Sequence, residues 1–275
     1  MNYIELDITF KDLEPWREIL VSHLAEKGFE SFVETKTGLL SYIPELDFDK
    51  QMIEDLDTFS EIDQFAYKTI QDQNWNAEWE KNFDPVVVAD KLAIIAPFHN
   101  GVFNQLLTIT IQPQMSFGTG HHQTTWLMSK RLFELNLENQ RVLDMGTGTG
   151  ILAILAEKLA ASEILAVDID EWSYRNALEN IELNGCHKIQ VVLGDHLILK
   201  DKKFDLIIAN INKNVLISHF ETYSEILEKN GILLISGFFK TDQEDLQQKA
   251  AEFGFIFESV ETKDEWALLQ FKLNN

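Results

Sequence analysis

From Arg141 onward, short apolar runs alternate with segments of helical periodicity, and this pattern constrains the fold of the 275-residue chain more than any other. The strand-like runs are Val142-Leu143-Asp144, Ile164 to Val167, Ile189 to Leu193, Phe204 to Ala209 and Ile232 to Ser236. Helical segments fall between several of them, near 150–160, 172–183 and 214–229. A chain that leaves a strand, passes through a helix and returns to a strand builds a parallel sheet with helices on both faces. The spacing therefore predicts an α/β fold with a doubly wound, mostly parallel sheet. Phe255-Ile256-Phe257 and Trp266 to Phe271 predict a hairpin that closes one edge. In such sheets ligands collect at the C-terminal ends of the strands, near the point where strand order reverses. The turn after the first strand is the place where chemistry is expected.

That turn reads Asp144-Met145-Gly146-Thr147-Gly148-Thr149-Gly150 and runs into an apolar helical segment. Gly146, Gly148 and Gly150 let the backbone turn tightly and approach a ligand with no Cβ in the way. The helix that follows offers free N–H groups. The spacing is G-x-G-x-G, whereas the dinucleotide fingerprint is G-x-G-x-x-G. Asp144, two residues before the first glycine, would repel a pyrophosphate and suits a cofactor with a cationic amino-acid end, such as a methionine ammonium. Asp168 ends the second strand, where a carboxylate accepts the hydrogens of ribose hydroxyls. S-adenosyl-L-methionine satisfies both carboxylates, and a nicotinamide cofactor remains the alternative.

Two further segments carry candidate residues. Asn210 ends the fourth strand, in Ala209-Asn210-Ile211-Asn212-Lys213. Its amide oxygen suits acceptance of a hydrogen bond from an amine substrate, and capping of the following helix is the competing role. Upstream lies Met115-Ser116-Phe117-Gly118-Thr119-Gly120-His121-His122-Gln123-Thr124-Thr125-Trp126. Its glycines permit a tight loop before a helix, and Thr124 and Thr125 place hydroxyls at the helix start. Adjacent histidines with no clustered Cys or carboxylate do not make a metal site, so no metal is expected. Phe117 and Trp126 are candidate aromatic faces for a cationic product.

Residues 1–70 carry a different pattern. Tyr3 to Phe10 alternates with period two, a helical stretch follows Glu14-Pro15 and ends at Gly28, and a hairpin turns around Lys36-Thr37-Gly38. Met52, Ile53, Leu56 and Phe59 suit a second helix, and Phe65 to Ile70 a last strand. The order β-α-β-β-α-β predicts a small ferredoxin-like α+β domain, a packing solution without chemistry of its own. Residues 71–83 form a joint with Trp75 and Trp79 four apart on one helical side, read as packing residues. The second domain then spans 84–275, opening with strand-like runs at Val86 to Pro97 and Leu106 to Ile111.

Composition limits the partners. Lys plus Arg is 23 against 45 Asp plus Glu, a net charge of -22. That field opposes the counterion-release term that drives nucleic-acid binding and favours a basic partner. No run approaches the ~18 apolar residues of a membrane span, the N-terminus lacks a secretory pattern, and the one cysteine, Cys186, excludes an intrachain disulfide. A cytoplasmic location is expected, with no membrane partner.

Taken together, Phe117-Gly118-Thr119-Gly120-His121-His122-Gln123-Thr124-Thr125, the glycine turn, Val167-Asp168-Ile169-Asp170, Ala209-Asn210-Ile211 and Ser236-Gly237 stand in the order of a known family. The chain resembles, over essentially its whole length, the family of class I S-adenosylmethionine-dependent methyltransferases that modify large-subunit ribosomal protein L11. The resemblance implies trimethylation of lysine ε-amines and of the N-terminal α-amine of that basic protein. It implies cofactor contacts at Thr125, Gly146, Asp168 and Asn210, with Asp144, Gly148, Gly150 and the loop residues Phe117, Gly118 and Thr119 in the same set. It also implies that Asn210 is the catalytic residue, that the N-terminal domain grips the substrate, and that the joint lets the catalytic domain reposition. Two stretches depart from the family pattern: Gln112-Pro113-Gln114 stands where Asp-Pro-Gly is usual, and Asn212-Lys213-Asn214 replaces a smaller, more apolar stretch. A nucleic-acid amino methyltransferase and a non-catalytic module that binds ribosomal protein are the alternatives.

Overall fold

The structure, a computed structural model, describes residues 2–11, 15–70, 83–99, 101, 103, 106–114 and 116–274. The joint tryptophans Trp75 and Trp79 lie outside the described residues. The chain divides into two compact units, Met1–Asn82 and Phe83–Asn275.

In the first unit the elements run β1 (Tyr3–Phe10), α1 (Trp16–Glu26), β2 (Ser31–Glu34), β3 (Gly38–Pro44), a 3-10 helix (Lys50–Thr58) and β4 (Ile62–Ile70). The sheet order is β2-β3-β1-β4, with every neighbouring pair antiparallel. Period-two alternation puts Ile4, Leu6, Ile8 and Phe10 of β1 into a core shared with Leu20 and Leu24 of α1. The expected second α-helix is a 3-10 helix. Its buried residues Ile53 and Leu56 stand three apart, the spacing that keeps one face when a turn holds three residues. Asp49 caps it by accepting the Gln51 N–H at 2.9 Å.

The second unit opens with β5 (Val86–Val88), β6 (Leu92–Ile95) and β7 (Leu107–Thr110), a three-stranded sheet in that order. The apolar run from Val86 to Pro97 is thus two strands and not one. Ala89 and Asp90 both take positive φ, 49° and 53°, and turn the chain back. Next come α2 (Gln123–Leu132), β8 (Arg141–Met145), α3 (Ile151–Lys158), β9 (Glu163–Asp168), α4 (Glu171–Leu183) and β10 (Ile189–Leu193). A 3-10 helix (His196–Leu199) leads to β11 (Phe204–Asn210), α5 (Lys213–Ile226), β12 (Leu227–Phe239), α6 (Gln243–Ala251), β13 (Phe255–Lys263) and β14 (Trp266–Leu273).

The main sheet has the order β10-β9-β8-β11-β12-β14-β13. The chain builds outward from β8 through β9 to β10, then returns to the other side of β8 as β11. The reversal lies between β8 and β11, which pair in parallel. The β13–β14 hairpin closes the far edge, β14 running antiparallel to β12. Both faces are covered, as a parallel sheet requires. Val142 and Ile208 pack with Leu127, Leu132 and Ile154 on one side. Leu143, Met145 and Ile207 pack with Leu216, Phe220 and Tyr223 on the other. One expected boundary is wrong: α5 ends at Ile226, and residues 227–229 begin β12, where Leu227 pairs with Phe204. Leu-Glu-Lys favours helix locally, and sheet pairing overrides it. At the opposite end of the strands Arg141 bridges Asp205 at 3.1 Å and Glu228 at 2.8 Å, tying the starts of β8, β11 and β12 together.

Candidate active site

The reversal between β8 and β11 sets a cleft at the C-terminal ends of the strands. Its volume is about 540 Å³, within the range of small-molecule sites. Gly146 and Gly148 of the glycine turn, Asp168 after β9, Asn210 after β11 and Phe117 of the upstream loop all line it. Five of the expected residues, from four separate stretches of sequence, are therefore brought together.

The glycine turn is held from three sides. The N–H groups of Gly146 and Thr147 both donate to the Val167 carbonyl, at 2.8 and 3.1 Å. The Gly148 N–H donates to Asp168 Oδ2 at 2.9 Å. The Thr149 N–H donates to the Phe117 carbonyl at 2.9 Å and its hydroxyl to the Gly118 carbonyl at 2.7 Å. The last pair latches the Phe117–Gly120 loop onto the turn. Positive φ and close approach make glycine necessary here. At Gly146 (φ +74°) a Cβ would stand 2.2 Å from Ile211 Cγ2, and at Gly148 (φ +54°) 2.3 Å from the Phe117 carbonyl oxygen.

Asp144 lies buried under the glycine turn. It is 1% exposed. Its Oδ2 accepts the Thr147 hydroxyl at 2.6 Å and the Ala153 N–H, in the first turn of α3, at 3.2 Å. Burial raises its pKa to about 7, against the lowering effect of those two hydrogen bonds and with a further push from the Asp168 carboxylate. Asp168 lies on the wall, its oxygens already accepting from the Gly148 and Asp170 N–H groups, at 2.9 and 3.0 Å. A carboxylate has about four acceptor positions, so capacity remains for hydroxyl donors.

Asn210 is not the cap of the following helix. The cap of α5 is Asn212, whose side chain accepts the Val215 N–H at 3.2 Å. Asn210 Oδ1 is buried and has no hydrogen-bond partner among the described residues. Such a group costs about 1–3 kcal/mol until something that enters the cleft completes it. Lys213 is likewise accounted for, bridging Asp242 and Asp245 at 2.8 Å each. The Gln112-Pro113-Gln114 departure is pinned to α4, with Asn180 Oδ1 accepting the Gln112 N–H and the Asn176 amide donating to its carbonyl.

The remaining expected residues support the cleft without lining it. Gly150 takes the N-cap position of α3 with φ 81°. Thr119 Oγ1 hydrogen-bonds to His121 Nδ1 at 3.3 Å. Thr125 is buried on α2, with its Oγ1 also unpartnered among the described residues. The two histidines have structural partners: His122 caps α2 and His121 Nε2 hydrogen-bonds to the Asp84 carbonyl at 2.9 Å. Lys263 Nζ sits 4.8 Å from the centroid of the Trp126 ring. Phe117 stays half-exposed at the cleft.

Asp195, His196 and His219 also line the cleft. Sequence reasoning missed them because no motif follows the third strand. The rule that pointed to Asp168 would have found Asp195 and His196, since they stand just beyond the C-terminal end of β10.

The family model for ribosomal protein L11 methyltransferase (PrmA) matches residues 11–274. The chain belongs to that family. A ribosomal protein L11 methyltransferase of Porphyromonas gingivalis is 44% identical over 268 residues, covering 94% of this chain and 91% of the relative. One from Phocaeicola vulgatus is 40% identical over 281 residues, covering 98% and 99%. A ribosomal protein L11 methylase from Lactobacillus delbrueckii subsp. bulgaricus has a solved structure with a TM-score of 0.65 and 31% identity, spanning 70% of this chain and 100% of its own. A Pyrococcus furiosus methyltransferase at 17% identity and a TM-score of 0.53 shares the fold.

The chain is thus a methyltransferase, and its cofactor is S-adenosyl-L-methionine. The residues present fit that group: a glycine cradle, a ribose-competent carboxylate at Asp168 and an unpartnered acceptor at Asn210. Among the described residues no helix is long and apolar enough to cross a membrane.

Proposed function

We propose that this family member methylates amino groups of large-subunit ribosomal protein L11, the lysine ε-amines and the N-terminal α-amine. The supporting observation is Asn210 Oδ1, an acceptor buried at the cleft without a partner among the described residues. An amine nucleophile brings N–H donors to such an oxygen. The names of the relatives support the choice of protein, and the net charge of -22 complements a basic partner. Residues 1–70 serve as the substrate-gripping domain and 71–83 as the linker. The reaction takes place in the cytoplasm.

The cofactor, when bound, supplies an electrophilic methyl group on a sulfonium. The protein's task is to present a nucleophile with a free lone pair. Lysine amines have pKa ~10.4 and α-amines about 7.7–8.0, so a neutral amine must be selected or produced. Transfer out of water into the cleft disfavours the charged form. Asn210 then orients the amine by accepting one of its N–H groups, and fixed orientation supplies much of the rate. Asp168 would hold the cofactor ribose and the glycine turn its amino-acid end, with Phe117 beside them at the cleft. No general base is assigned.

An amino methyltransferase acting on nucleic acid also uses an Asn here. In this chain Ala209-Asn210 is followed by Ile211-Asn212-Lys213 and lacks the Asn-Pro-Pro-Tyr form. Incubation with methyl-labelled cofactor and a mixture of unmodified ribosomal proteins and ribosomal RNA tests the assignment. Label in protein L11, located by mass spectrometry on amines, is expected. Label only in RNA, or cofactor binding with no transfer to protein, contradicts it.

A further inference from the structure

Ser236-Gly237 stands among the motifs that carry the family resemblance, and the residues assigned to cofactor and amine do not include it. Both residues lie in β12. Ser236 pairs in parallel with Asn210 at the C-terminal end of β11. On its other side β12 pairs with β14, and there the register breaks: Ile235 stands opposite Leu269 and Phe238 opposite Ala267. Between those pairs β12 carries two residues, Ser236 and Gly237, against one in β14, Leu268. This is a β-bulge, a device that re-aims a strand and is common beside active sites. The Ser236 hydroxyl, fully buried, donates to the Ala267 carbonyl at 2.7 Å and ties the bulge back to β14.

The bulge lays bare backbone on the residue that follows Asn210. Gly237 has φ +94°, and a Cβ there would stand 2.3, 2.7 and 2.9 Å from the carbonyl oxygen, carbonyl carbon and nitrogen of Ile211. Those are backbone atoms, which cannot rotate aside as the end of a side chain can. Gly146 meets the side chain of the same residue, since its Cβ would stand 2.2 Å from Ile211 Cγ2. Ile211 is therefore held by two glycines, its peptide against β12 and its side chain against the glycine turn. The peptide that joins Asn210 to Ile211 is planar and stiff, so fixing Ile211 fixes the direction in which Asn210 leaves β11. Asn210 Oδ1 has no partner among the described residues, and its aim into the cleft depends on where the backbone places it.

We propose that Gly237 is a positioning residue for methyl transfer: from the bulge of β12 it seats the Ile211 peptide, and the seated peptide aims the Asn210 amide into the cleft. The inference rests on the reading of Asn210 as the group that orients the amine. It divides the two glycines by what they serve. Gly146 belongs to the cofactor cradle, whereas Gly237 acts on transfer through Asn210 and leaves cofactor binding largely intact.

The test is single-turnover methylation of protein L11, at saturating cofactor, by the full chain and by its Gly237→Ala, Asn210→Ala and doubly substituted forms. Affinity for S-adenosylhomocysteine is measured on each by calorimetry. Gly237→Ala is expected to slow transfer about 10- to 100-fold, the scale of a misplacement near 1 Å, with affinity kept within about threefold. In the Asn210→Ala background the same substitution is expected to change the rate by less than about twofold, because residues that act as one unit are not additive. A general loss of structure would slow both backgrounds alike. Ser236→Ala, which frees the bulge from β14 without adding bulk, is the second variant should Gly237→Ala fail to fold. It is expected to slow transfer about threefold or more in the parent and not in Asn210→Ala. A parent-like rate in the folded variant, or equal slowing in both backgrounds, overturns the proposal while the role of Asn210 stands. An Asn210→Ala enzyme as fast as the parent contradicts that role, and the proposal with it.

Discussion

Asn212 takes the capping hydrogen bond of α5, from the Val215 N–H at 3.2 Å, and leaves Asn210, two residues earlier, with a buried amide oxygen that has no partner among the described residues. The two residues are of the same type in one turn and have different tasks. Asn212→Ala removes a cap and is expected to cost about 1 kcal/mol of stability. Thermal or denaturant unfolding measures this. A variant as stable as the parent contradicts the capping role.

Gly146 and Gly148 differ from Gly185 in what a side chain would meet. An added Cβ would stand 2.2 Å from Ile211 Cγ2 at Gly146 and 2.3 Å from the Phe117 backbone oxygen at Gly148, whereas at Gly185 nothing lies within 4 Å. All three have positive φ, so each alanine costs about 1–2 kcal/mol from conformation. Gly148→Ala must also move backbone, and is expected to lose cofactor binding. Gly185→Ala is expected to keep binding. Calorimetry on the variants separates the two effects, and unchanged affinity in Gly148→Ala would contradict the turn's role as the cradle.

Thr149 joins two segments that are far apart in sequence. Its hydroxyl donates to the Gly118 carbonyl at 2.7 Å, in a fully buried position. Thr149→Val keeps the shape and leaves that carbonyl unpaired, at a cost of about 1–3 kcal/mol. The Phe117–Gly120 loop should loosen from the glycine turn, and cofactor affinity should fall with it. Hydrogen exchange at residues 117–120 is the check: protection equal to the parent's contradicts the latch.

Asp144 makes the stability of the fold pH-dependent in a definite direction. Burial raises its pKa from the ordinary 3.8 to about 7 in the folded chain. Between those values the folded state holds a proton that the unfolded state has lost, so stability falls as pH rises through the window and is level above it. Asp144→Asn removes this contribution. Its stability relative to the parent should grow between pH 4 and 7, by up to about 4 kcal/mol at ~1.36 kcal/mol per unit. A constant difference across the window contradicts a protonated, buried Asp144.

Much of the fold follows from local pattern. The alternation after Arg141 identifies the parallel strands because each is a short apolar run that a helix must follow. Period two in Tyr3–Phe10 identifies β1 because one face alone is buried. The break at Ala89-Asp90 was hidden because neither residue is glycine, although both adopt the left-handed conformation that glycine usually marks. The end of α5 was hidden because pairing of Leu227 with Phe204 decides it, a contact 23 residues apart in sequence. At the site, residues following strand ends were legible and the supporting set was not. The charge of Asp144 is visible in sequence, whereas its burial depends on packing by α3. His219 gave no signal, because its place in the cleft depends on how α5 crosses the sheet.

The central claim is that Asn210 orients the amine for transfer. Single-turnover methylation of protein L11 by Asn210→Ala, with cofactor affinity measured alongside, tests it directly. The account predicts a rate at least about 100-fold lower, the scale of lost positioning, with the cofactor still bound. An unchanged rate with the cofactor bound normally would contradict it.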